Sequence, residues 1–247
     1  ILGGEVEADH GEVFAAGEIA YLSQEPELLG NTVADALTQA TAWHDALRAA
    51  YSAQLEAGDH DAADAIQDRF DQVGWTIDHK VDAVCERLSV ASRSALLTRL
   101  SGGERRRLAL AIALLSDGKV LLLDEPTNHL DAETVGWLES FLTGYRGAVV
   151  MVTHDRYFLD NVTGWILELD RGSGIPYEGN YSSWLEQKEQ RLEQEAKSES
   201  AHRKTVEKEL EWVRQNPKGR RAKNKARVSA FEGRASQEFQ KRKDTPG

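Results

Sequence analysis

The sequence of 247 residues is poor in cysteine, methionine and long apolar runs. Its one cysteine, Cys85, excludes a disulfide framework and suits a reducing cytoplasm. No run approaches the ~18 apolar residues of a membrane span, so we expect no membrane partner. The first residues, Ile1 to Glu5, lack the basic and apolar regions of a secretory signal. The only methionine is Met151, and we therefore expect a fragment that begins within a domain.

Positive charges are outnumbered by negative ones, and they are unevenly distributed. The chain has 30 Lys and Arg against 41 Asp and Glu, a net charge of −11. Residues 214–247 nevertheless hold 11 Lys and Arg against 3 Asp and Glu. A basic segment on an acidic chain predicts contact with a polyanion such as nucleic acid, the alternative being a solvated helix end. The residues expected to make this contact are Arg214, Lys218, Arg220, Arg221, Lys223, Lys225 and Arg227.

Two apolar runs predict a parallel sheet. Residues 120–123 and 148–152 are continuous apolar segments separated by an amphipathic helical pattern, which is typical of buried parallel strands covered on both faces. A third short strand is expected at residues 19–22, with Gln24 just beyond its end. Ligands of such sheets bind at the carboxyl ends of the strands, where Asp124, Glu125 and His154 fall.

The remaining segments are predicted to be mainly helical. Residues 33–98 indicate a helical hairpin with a buried stripe of Trp43, Leu47, Tyr51 and Leu55. After a last strand at residues 165–169 and a loop at 171–179, a long charged helix is expected from Ser182. A break at Asn216-Pro217 and a second helix predict an antiparallel coiled-coil hairpin whose turn carries the basic residues. We therefore expect two domains, residues 1–174 and 175–247.

A second pattern lies at residues 100–107, just before an apolar-periodic segment. Ser101, Gly102, Gly103 and Glu104 precede the predicted helix, and glycines at a helix start present bare N–H groups that suit phosphate. About one helix later, Asp124 and Glu125 follow the buried strand. A carboxylate pair at this position suits one Mg²⁺ ligand and one base that activates water.

These motifs, in this order, resemble the ATP-binding cassette superfamily over residues 1 to about 170. Gln24 is similar to the Q-loop glutamine, residues 100–104 to the signature motif and residues 120–125 to the Walker B strand. Residues 128–131 resemble the D-loop, and His154 the switch histidine. The resemblance implies an α/β fold with a P-loop-NTPase-type parallel sheet and a helical subdomain, followed by the coiled-coil hairpin.

The resemblance also implies a role for each residue, with ATP and Mg²⁺ as cofactors. Asp124 would hold Mg²⁺ and Glu125 would activate the attacking water. His154 would contact the γ-phosphate, and Gln24 would reach the Mg²⁺ or the water. The signature residues Ser101, Gly102, Gly103 and Glu104 would bind ATP held by a second cassette, and Asp131 would couple the two sites.

One family motif is absent. No Gly-Lys pair in the sequence is followed by Ser or Thr, since Gly118-Lys119 precedes Val120. The phosphate-binding G-x-x-x-x-G-K-[ST] loop is therefore missing from these 247 residues. We expect the isolated chain to bind ATP weakly and not to hydrolyse it.

Within this superfamily, three segments of the sequence resemble the ABC-F family, in which two cassettes on one chain are joined by a helical linker. Asn128-His129, the run from Thr153 to Leu159 and the linker segment from Gly179 carry this resemblance. It implies a cytoplasmic ATPase that binds the ribosome in the tRNA exit site, contacts rRNA and peptidyl-tRNA through the linker, and gates elongation by nucleotide state. The alternatives are an ATPase subunit of an ABC transporter and a non-hydrolytic nucleic-acid-binding scaffold.

Overall fold

The computed structural model describes residues 9–12, 14, 17–170 and 172–215. The chain divides into two units, Ile1–Ile166 and Leu167–Gly247. The predicted α/β class and parallel sheet are confirmed. Within the residues described, no helix combines the length and the apolar character needed to cross a bilayer.

The first unit is built on a three-stranded parallel sheet in the order β1-β2-β3. The strands are β1 (Ile19–Leu22), β2 (Val120–Asp124) and β3 (Ala148–Val152). Leu123 pairs with Leu22 on one side and with Met151 on the other. The central strand is buried through Leu121, Leu122 and Leu123. Because the three strands are parallel, their carboxyl ends lie at one edge of the sheet.

The prediction that β3 is buried on both faces is wrong. Successive side chains of a strand point to opposite faces, and Val149 and Met151 pack against the core. The alternate residues face away from it, so Val150 is 46% and Val152 63% exposed. Burial of the second face would need a layer that the described residues do not supply.

Six α-helices are described in the first unit. They are α1 (Val33–Ala57), α2 (His60–Val73), α3 (Asp78–Arg87), α4 (Gly102–Leu115), α5 (Ala132–Thr143) and α6 (Arg156–Val162). Thr32 caps α1 in a reciprocal box with Asp35, and Gly58 ends it in the left-handed region at φ 75°. Helix α4 carries the densest part of the core, from Leu108 to Leu115.

The hairpin of α1 and α2 differs in detail from the expected apolar stripe. His44, rather than its neighbours in the stripe, is fully buried, and its ring lies edge-on to Trp43 and Phe70. Its Nε2 lies 2.9 Å from the carbonyl oxygen of Gly74, which gives the buried ring a polar partner. Leu55 is 45% exposed because it lies in the last turn of α1, beside the hairpin turn.

The second unit contains a two-stranded sheet and a long helix. The strands are β4 (Trp165–Asp170), which begins two residues before the unit boundary, and β5 (Ser173–Glu178); the helix is α7 (Tyr181–Gln215). The predicted loop at 171–179 is therefore wrong over residues 173–178. Gly174 and Pro176 are typical of loops, yet an outer strand tolerates both. The second helix of the predicted coiled-coil hairpin lies outside the described residues.

Ion pairs and a hydrogen bond connect the first turns of α7 to β4. The carboxylate of Glu168 is 11% exposed and lies 2.7 Å from Lys188 Nζ and 3.7 Å from Arg191 Nη2. The indole Nε1 of Trp184 donates to Glu168 at 3.3 Å. Chiefly because of the hydrogen bond from Lys188, the pKa of Glu168 lies below its ordinary value.

Candidate functional site

The carboxyl edge of the parallel sheet brings together three of the predicted site residues. Asp124 is the last residue of β2, Glu125 follows it, and His154 comes two residues after β3. Gln24 comes two residues after β1. A parallel register aligns all three strand ends, which is why residues distant in the chain meet at this edge.

Glu125 is the most constrained of these residues. Its φ of 47° lies in the left-handed region, which is uncommon for a residue with a side chain. Its N–H donates to the carbonyl oxygen of Val152 at 2.7 Å, which ties the end of β2 to the end of β3. Such a backbone conformation persists only where surrounding contacts hold it, and it occurs most often at functional sites.

The carboxylate of Glu125 is held by the loop that follows β3. Its Oε2 accepts from Thr153 Oγ1 at 3.3 Å and from the N–H of His154 at 3.4 Å, and its Oε1 lies 3.7 Å from His154 Nε2. The Glu125 side chain is 12% exposed, whereas that of His154 is 98% exposed. A nearly buried carboxylate beside an open imidazole can accept a proton from water, and the imidazole remains free to meet a ligand.

A cleft of about 560 Å³ lies beside this pair. Glu125, Asn128 and Glu139 line it together with His154 and Tyr157. Asn128 follows the Walker-B-like carboxylates and Glu139 lies on α5, so the cleft is bounded by the turn after β2 and by that helix. This arrangement places the Glu125 carboxylate where a small ligand could reach it.

The residues present fit a magnesium nucleotide in part. Within the described residues, no group of three or more His, Cys, Asp and Glu is arranged to hold a metal ion. Mg²⁺ is commonly held by one or two carboxylates together with water and substrate phosphates, so the half-buried Asp124 suits such a role.

Ser101 and Glu104 form a reciprocal capping box at the start of α4. Ser101 Oγ accepts from the N–H of Glu104 at 3.4 Å and donates to Glu104 Oε2 at 2.6 Å, while the N–H of Ser101 donates to the same carboxylate at 2.8 Å. The hydrogen bond from the Ser101 hydroxyl, and then that from its N–H, lower the pKa of Glu104. The two residues therefore have a local structural role besides the predicted contact with ATP.

The glycines that follow Ser101 leave room above the helix start. Among the described residues, nothing lies within 4 Å of the position that a Cβ would take at Gly102. At Gly103 that position would make only ordinary contacts with Arg107 and His129. Internal packing thus does not require glycine at either position. The open backbone at this helix start is compatible with the close approach of a phosphate.

Asp131 also has a local role. It caps α5 by accepting from the N–H of Thr134 at 2.8 Å. That hydrogen bond is the main cause that lowers the pKa of Asp131. The carboxylate therefore points to its own helix, and its predicted part in coupling two nucleotide sites remains a prediction.

The sequence patterns did not single out Arg106, which contacts the main chain at two strand ends. Its Nη1 donates to the carbonyl oxygens of Ser23 at 3.2 Å and Gln24 at 2.5 Å. Its Nη2 donates to those of Asp124 and Glu125. One signal was available: Arg106 shares a face of α4 with the buried Leu110 and Ala113, where an arginine is unusual.

The predicted RNA-contacting residues lie almost entirely outside the described part of the chain. Arg214 falls in the last turn of α7, without a described side chain. Lys218, Arg220, Arg221, Lys223, Lys225 and Arg227 follow the end of the described residues. Their role stays a prediction from the sequence.

Comparison with known proteins identifies relatives over both units. Two family models, both described as ABC transporter, match residues 2–128 and 167–246. Energy-dependent translational throttle protein EttA of Haemophilus influenzae is 51% identical over 239 residues, covering 92% of this chain and 43% of that protein. ATP-binding protein ChvD of Rhizobium radiobacter is 53% identical over 168 residues, covering 68% of this chain and 59% of that protein.

A similar fold occurs among solved structures. The structure of an RNase-L Inhibitor matches with a TM-score of 0.50 and 22% identity, over 72% of this chain and 31% of that one. At this identity the match supports the fold alone. The chain spans less than half the length of the translational throttle proteins that it matches.

Proposed function

The chain belongs to the ATP-binding cassette family, in its ABC-F branch, and we propose that it forms part of an ATP-hydrolysing translation factor that binds the ribosome. The observation that carries the ATPase part is the Glu125 carboxylate, nearly buried beside His154 at the edge of the cleft. The ribosomal part is supported by the 51% identity to a protein named as a translational throttle.

In this proposal the residues at the sheet edge act on one nucleotide. Mg²⁺ bound to ATP would neutralise charge that develops on the phosphates, and Asp124 would hold it, mostly through water. Glu125 accepts a proton from the attacking water, and Gln24 orients that water or the metal. His154 donates to the γ-phosphate, for which its exposed ring is available.

The start of α4 acts on a second nucleotide. Ser101 and the N–H groups of Gly102 and Gly103 bind the γ-phosphate of ATP held by another cassette of the whole protein, and Glu104 keeps Ser101 in place. Asp131 couples the two sites. The chain therefore supplies half of each of two ATP sites. The missing G-x-x-x-x-G-K-[ST] motif agrees with this division, because these residues supply no P-loop lysine.

We assign the ribosomal contact to the basic segment from Arg214 to Arg227. In a cytoplasmic protein, this segment would bind phosphates of rRNA and peptidyl-tRNA at the tRNA exit site of the ribosome. The nucleotide state of the protein would then gate elongation. Lys and Arg that neutralise phosphates make binding fall steeply with salt.

Charge-neutral variants test this contact. Replacing Arg220, Arg221 and Lys223 by Gln should reduce the slope of log affinity against log salt by about 2 to 3, since each phosphate contact contributes roughly 0.7 to 0.9. The control replaces Lys241, Arg242 and Lys243 by Gln, which removes the same charge from residues that lie after this segment. An equal loss of slope in both variants would mean that only net charge matters and would overturn the assignment.

The alternative of a transporter subunit keeps some support, because both family models carry that description. The 51% identity to a translational throttle protein favours translation. A non-hydrolytic scaffold is disfavoured by the conformation and burial of Glu125, since such a protein needs no base at this position.

The ATPase role is tested by replacing Glu125 with Gln in the whole protein that carries this chain. We expect loss of steady-state ATP turnover, because the amide cannot accept the proton from water. Glu139→Gln is the matched control, since Glu139 lines the same cleft but hydrogen-bonds to Asn161. Turnover that persists in Glu125→Gln, or falls equally in both variants, would refute the role of Glu125.

A further inference from the structure

A single side chain, Arg106, connects the residues that follow β1 with those at the end of β2, at the carboxyl edge of the sheet. It lies one turn into α4, close to the helix start that Ser101 caps. One terminal nitrogen donates to the carbonyl oxygens of Ser23 and Gln24, and the other to those of Asp124 and Glu125. The guanidinium thus spans the ends of β1 and β2.

The chemistry of arginine suits this position. Its planar guanidinium directs donors along fixed directions, so two terminal nitrogens can each serve a different strand end. Arg106 is half-buried, and its Nε is buried without a hydrogen-bond partner among the described residues. A lysine ammonium is a compact donor and cannot serve both pairs of carbonyl oxygens.

The contact bears directly on the geometry of Glu125. The left-handed backbone of Glu125, at φ 47°, needs support from its neighbours. Its N–H is held by Val152 at 2.7 Å, and its carbonyl oxygen accepts from Arg106 at 3.2 Å. Hydrogen bonds therefore hold the peptide groups on both sides of Glu125. Arg106 provides the one on the carboxyl side.

We propose that Arg106 is a positioning residue for ATP hydrolysis, which holds the main chains of Gln24 and Glu125 in register through four carbonyl oxygens. The inference rests on the proposed ATPase function and names a residue that this site requires. Arg106 contacts the main chain of these residues and acts on the reaction through them. Its loss shifts the Glu125 carboxylate relative to the water it activates.

The test is the ATP turnover of Arg106→Gln and Arg106→Lys in the whole protein that carries this chain. We expect kcat to fall by up to about 100-fold in Arg106→Gln, the size of loss caused by displacing a catalytic group by about 1 Å, with little change in KM. Arg106→Lys should recover part of the loss. Arg105→Gln is the matched control, because the described contact of Arg105 is one hydrogen bond to the carbonyl oxygen of Leu97.

Combination with Glu125→Gln separates positioning from a general structural role. If Arg106 acts through Glu125, the single-turnover rate of the double variant should match that of Glu125→Gln within about twofold, because the two changes are not independent. Rates that multiply would mean that Arg106 acts elsewhere and would overturn the proposal. Where Arg106→Gln does not fold, Arg106→Lys takes its place in both measurements.

The ATP turnover of the wild-type protein distinguishes failure of the proposed function from failure of this inference. An inactive wild-type protein would overturn the proposed function and this inference together. An active wild type with unchanged kcat in Arg106→Gln would overturn the inference alone. A rise in KM with unchanged kcat would do the same, since it would place Arg106 in nucleotide binding.

Discussion

Ser101 has one observed role and one proposed role, which a pair of matched variants can separate. In the structure it caps α4, and in the proposed function it also binds phosphate. Thr32 caps α1 with the same kind of box, formed with Asp35, and has no proposed contact with nucleotide. Ser101→Ala and Thr32→Ala therefore remove equivalent caps, and only one of them removes a proposed ligand contact.

The expected losses of stability and of ATP turnover follow from the contacts that each variant removes. Replacing a Ser or Thr cap by Ala lowers the free energy of unfolding by about 1 kcal/mol. For a domain of this size that corresponds to a fall of roughly 2 to 4 °C in Tm, and we expect it in both variants. A hydrogen bond to a charged group contributes about 1.5 to 3 kcal/mol, so Ser101→Ala should also reduce ATP turnover by roughly 10- to 150-fold.

The assay compares Tm and kcat/KM for ATP in both variants of the whole protein. Thr32→Ala should keep wild-type turnover despite its lower Tm. If Ser101→Ala loses stability but keeps turnover, its hydroxyl serves α4 alone and the proposed phosphate contact is wrong. If Thr32→Ala loses as much turnover as Ser101→Ala, the activity follows helix stability and the same conclusion holds.

Three further predictions concern the fold and the nucleotide. Leu121→Ala in the buried central strand should lower the free energy of unfolding by about 2 to 5 kcal/mol in urea titrations, whereas Val152→Ala, 63% exposed, should cost about 0.5 kcal/mol or less. The pKa of Glu168 is lowered in the folded protein, so its ionised form stabilises the fold at neutral pH. The difference in Tm between the wild type and Glu168→Gln should therefore shrink as the pH falls below 4.5. A difference in Tm that does not change with pH would contradict this. Calorimetry on the 247-residue chain should show weak ATP binding, and tight binding would contradict the division into half-sites.

The sheet edge could be predicted because it depends on local patterns. The apolar runs that end before Asp124 and Thr153 indicate where two strands end. A parallel sheet brings such strand ends together at one edge. Ser101 with Glu104 three residues later is also a local capping signature, but these residues were interpreted from the sequence only as a phosphate site. The family resemblance added the roles of these residues, and the family is confirmed by the comparisons.

The features that were missed depend on tertiary packing. Strand β5 contains Gly174 and Pro176, whose local preference is for loops, and its pairing with β4 overrides that preference. The exposure of Val150 depends on whether a second layer covers the sheet, which the apolar pattern alone does not specify. The position of Arg106 on the apolar face of α4 was a signal in the sequence, but its partners were not predictable because they are backbone carbonyls, which every residue has.

The most direct test of the proposed ATP-driven binding to the ribosome is cosedimentation of the whole protein carrying Glu125→Gln with ribosomes. If Glu125 is the base that ends the ATP-bound state, the variant should remain bound to ribosomes in ATP and dissociate in ADP, while the wild-type protein is released in both. Retention that does not depend on ATP, or release of the variant at the wild-type rate, would contradict the proposal that ATP hydrolysis at Glu125 controls ribosome binding.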